Sequence, residues 1–158
     1  MFIEYTVLDD LDLIILEKLQ EQGRISNAEL SRQLNLSQPA VHNRIKRLER
    51  EGYIQKYVAV LDRELIGYDL LCFVHISIQL HQFHQIEAFR ETIRRMPQVL
   101  ECHHVTGEFD YLLKVITRNR KDLEHFVINE LTPIPGVARI QTSLVFREVK
   151  STTAYPLE

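Results

Sequence analysis

Two cysteines in 158 residues are too few for a disulfide framework. Cys72 and Cys102 fall in strand-like segments and read as thiols. No apolar run approaches the roughly 18 residues that a membrane helix needs, and no secretory leader pattern is found, so a cytoplasmic chain with no membrane partner is expected. No phosphate-cradling loop, activated nucleophile or carboxylate pair stands out, so neither an enzyme nor a cofactor is expected. Metal-binding spacing is also lacking. His81-x-x-His84 has no second pair at finger spacing, and in Cys102-His103-His104 the two histidines point to opposite faces of a strand. These histidines read as surface groups whose protonation near neutral pH can modulate assembly.

An overall excess of positive charge is missing too, since the net charge is −3. Its distribution is uneven. Residues 24–56 hold seven Lys/Arg and three Asp/Glu, whereas residues 1–23 hold one Lys and six acids. A basic patch on an acidic body suits a protein that reads a nucleic-acid site without coating itself in nucleic acid. At 45% hydrophobic and 26% charged, the chain has the composition of one globular domain or two small ones.

The basic patch centres on Ser37 to Glu51, SQPAVHNRIKRLERE. Ser37 can cap a helix, and Pro39 is tolerated in a first turn, where no intrahelical bond is lost. Val41, Ile45 and Leu48 form one apolar stripe. The remaining surface carries amides and cations, which can bond base edges and neutralise phosphates. Arg24 to Leu36 precedes it, with Ser26 and Glu29 spaced as a capping box and Asn35 placed to end the helix. Two short helices joined by a tight turn, the second one basic, form a helix-turn-helix. Gln38, His42, Asn43 and Arg47 are candidates for base contacts, and Arg24, Arg32, Arg44, Lys46 and Arg50 for phosphates of double-stranded DNA.

Asp9 to Gln22 reads as the first helix, capped by Asp9, with Asp12 favourable to the helix dipole and Leu11, Ile15 and Leu19 on one stripe. Met1 to Val7 reads as an arm without periodicity. Tyr53 to Leu61 is rich in β-branched and aromatic residues and is expected to be a strand, either a wing or a link. A domain boundary is expected near Asp62, dividing residues 1–61 from 62–158.

The second part repeats an order: strand Leu70–Gln79, helix Gln82–Met96, strand Val99–Thr106, strand Asp110–Thr117, helix Asn119–Glu130, and a last strand within Val137–Lys150. This βαββαβ order predicts a ferredoxin-like split, so the chain is of the α+β class. Two helices cover only one face of four strands. The other face, carrying Leu71 and Phe73 or their alternates, is expected to meet a second copy.

Three segments carry a family resemblance: LDDLDLIILEKLQEQGRIS from Leu8, ELSRQLNLSQPAVHNRIKRLEREGYI from Glu29, and VTGEFDYLLKV from Val105. Together they resemble the Lrp/AsnC family of leucine- and asparagine-responsive transcriptional regulators, over nearly the whole chain. The resemblance implies an N-terminal winged helix-turn-helix, a C-terminal effector-sensing domain, and dimers that assemble further, commonly into octamers. It also implies a small effector, usually an amino acid, bound between dimers. On chemistry alone, Thr106, Gly107, Glu108, Phe109, Asp110 and Tyr111 make a hairpin turn. The resemblance makes them the candidate effector loop, with Asp110 offered to an ammonium group. Thr132, Ile134, Pro135 and Gly136 then resemble the loop that a neighbouring dimer contributes. Two alternatives stay open: an effector-independent architectural DNA-binding protein, and a sirohaem-decarboxylase-like enzyme on the same two-domain plan. The latter's histidine- and arginine-rich pattern is not seen.

Overall fold

The computed structural model describes residues 7–79 and 83–157. The expected arm, Val7 apart, and both His81 and Gln82 lie outside them. The chain divides into two compact units, one running to Val60 and taking in the chain from Lys150 onward, the other Leu61–Val149.

In the first unit, α1 (Asp10–Glu21) starts from a complete capping box, in which Asp9 accepts from the Asp12 backbone and Asp12 from the Asp9 backbone. α2 (Asn27–Leu34) is capped by Ser26 and ends at Asn35, whose φ of 53° and ψ of 43° are left-handed. The expected reciprocal half of the Ser26–Glu29 box does not form. The Glu29 carboxylate instead accepts from Arg32 and Gln33 on its own helix. α3 (Gln38–Arg50) is capped by Ser37 and has Pro39 in its first turn. Ile15, Leu30, Val41, Ile45 and Leu48 form the core that fixes the three helices.

Residues 53–60 form no strand, contrary to expectation. Their β-branched residues find no ladder partner among the described residues, so the segment stays irregular and Tyr57, Val58 and Val60 remain exposed. The last residues also depart from the expected boundary. Gln20 of α1 donates to the Tyr155 carbonyl (3.0 Å) and accepts from its N–H (2.6 Å), and this pairing holds the terminal segment to the first unit.

The second unit contains β1 (Leu70–Ile78), α4 (Phe83–Arg94), β2 (Val99–His104), β3 (Tyr111–Thr117), α5 (Arg120–His125) and β4 (Val137–Leu144). The sheet order is β2-β3-β1-β4, and every neighbouring pair is antiparallel. Cys72, Val74, Ile76, Leu113 and Val115 pack against Phe89 and Ile93 of α4 and against Phe126 and Leu131. Register places the alternates Leu71, Phe73, His75, Leu112, Lys114 and Ile116 on the opposite face. The second helix is not α-helical to its end, because Phe126–Leu131 widens into a π-helix.

Candidate DNA-binding face and effector turn

α3 buries Val41, Ile45 and Leu48 and leaves Gln38, Pro39, His42, Asn43, Lys46 and Arg50 exposed. Ser37 is occupied at the cap, where its hydroxyl accepts from the Ala40 N–H. The outward side chains of the first two turns are therefore two amides and an imidazole. His42 alone of these has a hydrogen-bond contact with α2 among the described residues, its Nδ1 lying 3.4 Å from Asn27 Nδ2. Lys46 pairs with Glu49 (2.8 Å) and Arg32 with Glu29, exposed contacts weak enough to exchange for phosphate. Arg24 is also exposed.

Arg44 and Arg47 are placed differently from the sequence expectation. Arg44 Nη1 donates to Asp9 Oδ2 (2.7 Å) and Asp12 Oδ1 (2.8 Å), and Arg47 Nη2 pairs with Asp12 Oδ2. The Asp12 side chain is completely buried. Hydrogen bonding to Arg44 holds the Asp9 carboxyl below its ordinary range, and the same carboxylates raise the Arg44 guanidinium. These two arginines thus tie the recognition helix to the N-terminus of α1. The missed residue is Asp12. Its signal was its position on the stripe of Ile15 and Leu19, where an acid is buried only if paired.

The candidate effector turn joins β2 to β3. Thr106, Gly107 and Glu108 are exposed, and Gly107 has a φ of 124°, a conformation that side chains rarely adopt. Asp110 binds the turn to β1. Its N–H donates to the Ile76 carbonyl (3.0 Å), and its Oδ2 accepts from the Ile78 N–H (2.8 Å). Phe109 lies between the His75 ring (5.1 Å) and the Arg139 guanidinium (4.9 Å), and Arg139 also pairs with Glu108 at 2.5 Å. One carboxylate oxygen of Asp110 is thus structural, and the other has no hydrogen bond among the described residues.

Tyr111 is not part of the open turn. It is 2% exposed, packs on Phe89, and takes a hydrogen bond from Arg90 Nε (2.9 Å). The second loop divides in the same way. Ile134 is a core residue and is not presented outward, whereas Thr132 is exposed with its hydroxyl donating to the Val127 carbonyl (2.7 Å). Pro135 is exposed, and the Gly136 carbonyl accepts from the Gln79 N–H (2.7 Å). Both loops therefore meet consecutive residues at the end of β1, Ile78 and Gln79. Among the described residues, no group of three metal-binding side chains occurs.

Comparison with known proteins decides the family. Residues 8–55 match the model for winged helix-turn-helix DNA binding, and residues 71–155 match that for the Lrp/AsnC ligand binding domain. The chain belongs to the Lrp/AsnC family. It is 38% identical over 143 residues to the leucine-responsive regulatory protein of Escherichia coli, covering 90% of this chain and 87% of that one. It is 37% identical over 150 residues to the Bkd operon transcriptional regulator of Pseudomonas aeruginosa, covering 95% and 98%. Among solved structures, a transcriptional regulator of Neisseria meningitidis in complex with L-Met superposes with a TM-score of 0.91. It shares 38% identity, with 95% of this chain and 97% of that one covered. Escherichia coli AsnC superposes with a TM-score of 0.87 at 26% identity, covering 96% and 100%. This member of the Lrp/AsnC family is a DNA-binding transcriptional regulator with an α+β fold and a ligand-binding domain. No helix among the described residues is long and apolar enough to cross a membrane.

Proposed function

We propose that this regulator couples DNA binding to an amino-acid effector held at the β2–β3 turn. The observation that carries the reading is the convergence of two loops on Ile78 and Gln79, one held by Asp110 and the other by Gly136. The free oxygen of Asp110 suits an α-ammonium, and the exposed backbone about Gly107 suits a carboxylate. The Neisseria relative solved with L-Met, 38% identical to this chain, supports an amino acid as the class of effector. Thr106, Gly107, Glu108, Phe109, Asp110, Pro135 and Gly136 form this site.

On the DNA side, Gln38, His42 and Asn43 read bases. Lys46, Arg50, Arg32 and Arg24 hold phosphates, with Ser37 and Pro39 fixing the helix start. Arg44 and Arg47 position the helix. The active species is a homodimer built through the open sheet face, assembling further in the manner of octameric relatives, and it acts in the cytoplasm without catalysis. An effector must favour one assembly or DNA-binding state over another, or it changes nothing.

A thermal-shift screen against the twenty standard amino acids tests this reading. A ligand at 100 times its Kd stabilises by about 2.7 kcal/mol, a readable shift. The expected result is one or two hits that Asp110→Ala abolishes. A screen without hits, with DNA affinity indifferent to every amino acid, would leave the effector-independent architectural reading in its place.

A further inference from the structure

A cavity lies at the other end of the sheet from the effector turn. It measures about 250 Å³ and opens where β3 ends and β2 begins. Seven residues of β3 at roughly 3.3 Å each separate it from the turn by about 20 Å. Pro97 and Ile116 form apolar wall, and Gln98, Arg118, His125 and Glu130 bring polar groups to it.

Three features set it apart from an ordinary surface dimple. First, Gln98 Oε1 is buried without a hydrogen-bond partner, while its Nε2 donates weakly to Glu130 Oε1 at 3.4 Å. A buried acceptor left without a partner is costly, so a donor bound there is favoured. Second, Arg118 lies over the Tyr68 ring at 5.8 Å and forms no ion pair among the described residues. Third, the π-helix builds part of the wall. Residues five apart on an α-helix point about 140° from one another. The wider turn at Phe126–Leu131 instead brings His125 Nε2 and Glu130 Oε1 to 3.9 Å, on the same cavity. Such widened turns recur at functional sites.

We propose that this cavity is a second binding site, for a small zwitterion of the α-amino-acid class. An ammonium group would sit between Gln98 Oε1 and the Glu130 carboxylate. The carboxylate would meet Arg118, whose planar donors suit it. The site shares no residue with the effector turn, so the two readings stand or fall separately.

Isothermal titration of the full chain with each of the twenty standard L-amino acids tests it, using Arg118→Gln, Glu130→Gln and Asp110→Ala as variants. Arg118 is exposed and Glu130→Gln keeps its shape, so both cavity variants are expected to fold. The expected result is at least one amino acid whose affinity falls about tenfold or more in both cavity variants and is unchanged in Asp110→Ala. Loss confined to Asp110→Ala would overturn the cavity site and leave the turn. Loss in the cavity variants with no amino acid sensitive to Asp110→Ala would support the cavity and remove the turn. No binding by any amino acid would overturn both.

Discussion

Asp12 is a buried acid that answers two arginines of the recognition helix, and it sets what those arginines can do. Breaking a buried pair from one side costs about 3–5 kcal/mol. The guanidinium groups of Arg44 and Arg47 are partly exposed, so Asp12→Asn is expected to lose about 3 kcal/mol in chemical denaturation, the low end of that range. A loss under about 1 kcal/mol would mean that the pair is effectively solvated. DNA binding separates positioning from contact. Lys46→Ala and Arg50→Ala should each flatten the salt dependence by about one unit, whereas Arg44→Ala should leave that slope alone. Asp9 adds a pH dependence. Its carboxyl is held below the ordinary range by Arg44. Its stabilisation is therefore present above about pH 4 and lost as pH falls through the lower folded value. Thermal melts below about pH 4 should show this loss, and Asp9→Asn should remove it. The sequence read Asp12 only as a first-turn acid, because its partners lie 32 and 35 residues further on.

Among the elements, α3 was readable from spacing alone, since Val41, Ile45 and Leu48 left the outward residues no choice of face. Asn43→Ala is expected to cost about 1–3 kcal/mol on the preferred sequence and to relax discrimination at one base pair, which binding to single-base operator variants would resolve. Uniform weakening across all variants would make Asn43 a phosphate contact instead. The segment 53–60 misled because β-branched residues report a fit to a pleated, half-buried surface, and this segment has none within its own described chain. The π-helix left no trace in the sequence. Leu123, Phe126, Val127 and Leu131 keep spacings that serve an α-helix equally well. The β2–β3 turn was legible through Gly107, but the double duty of Asp110 was not. Because the Ile78 N–H depends on its carboxylate, Asp110→Ala should cost about 1–2 kcal/mol even without ligand, measured by denaturant melts of the unliganded protein.

For the molecule as a whole, several strongly exposed apolar residues lie along the chain close to Val60 and Val149. Val60 is 84% exposed, Phe146 98% and Val149 92%. The open face of the sheet carries the half-buried Phe73, Leu112 and Ile116, with Leu71 buried on the same face. Contiguous apolar surface of this kind marks an interface, and a twofold pairing of sheets would cover it. Phe73→Glu isolates that step. Lys114, which pairs with Glu101 at 3.3 Å, lies directly across the strand pair from position 73, so the new carboxylate shares a cation within its own chain and the fold should persist. Burying the same pair against a second copy would cost several kcal/mol of desolvation. Sedimentation should therefore fall from the dimer to the mass of one chain, with the circular dichroism spectrum retained. Loss of the dimer would also remove the second recognition helix from the adjacent half-site. The salt slope of operator binding should then drop by about half, since half of the phosphate contacts go with it. A Phe73→Glu protein that remains dimeric would remove the sheet face as the interface and leave other exposed apolar residues, such as Phe146 and Val149, to supply it.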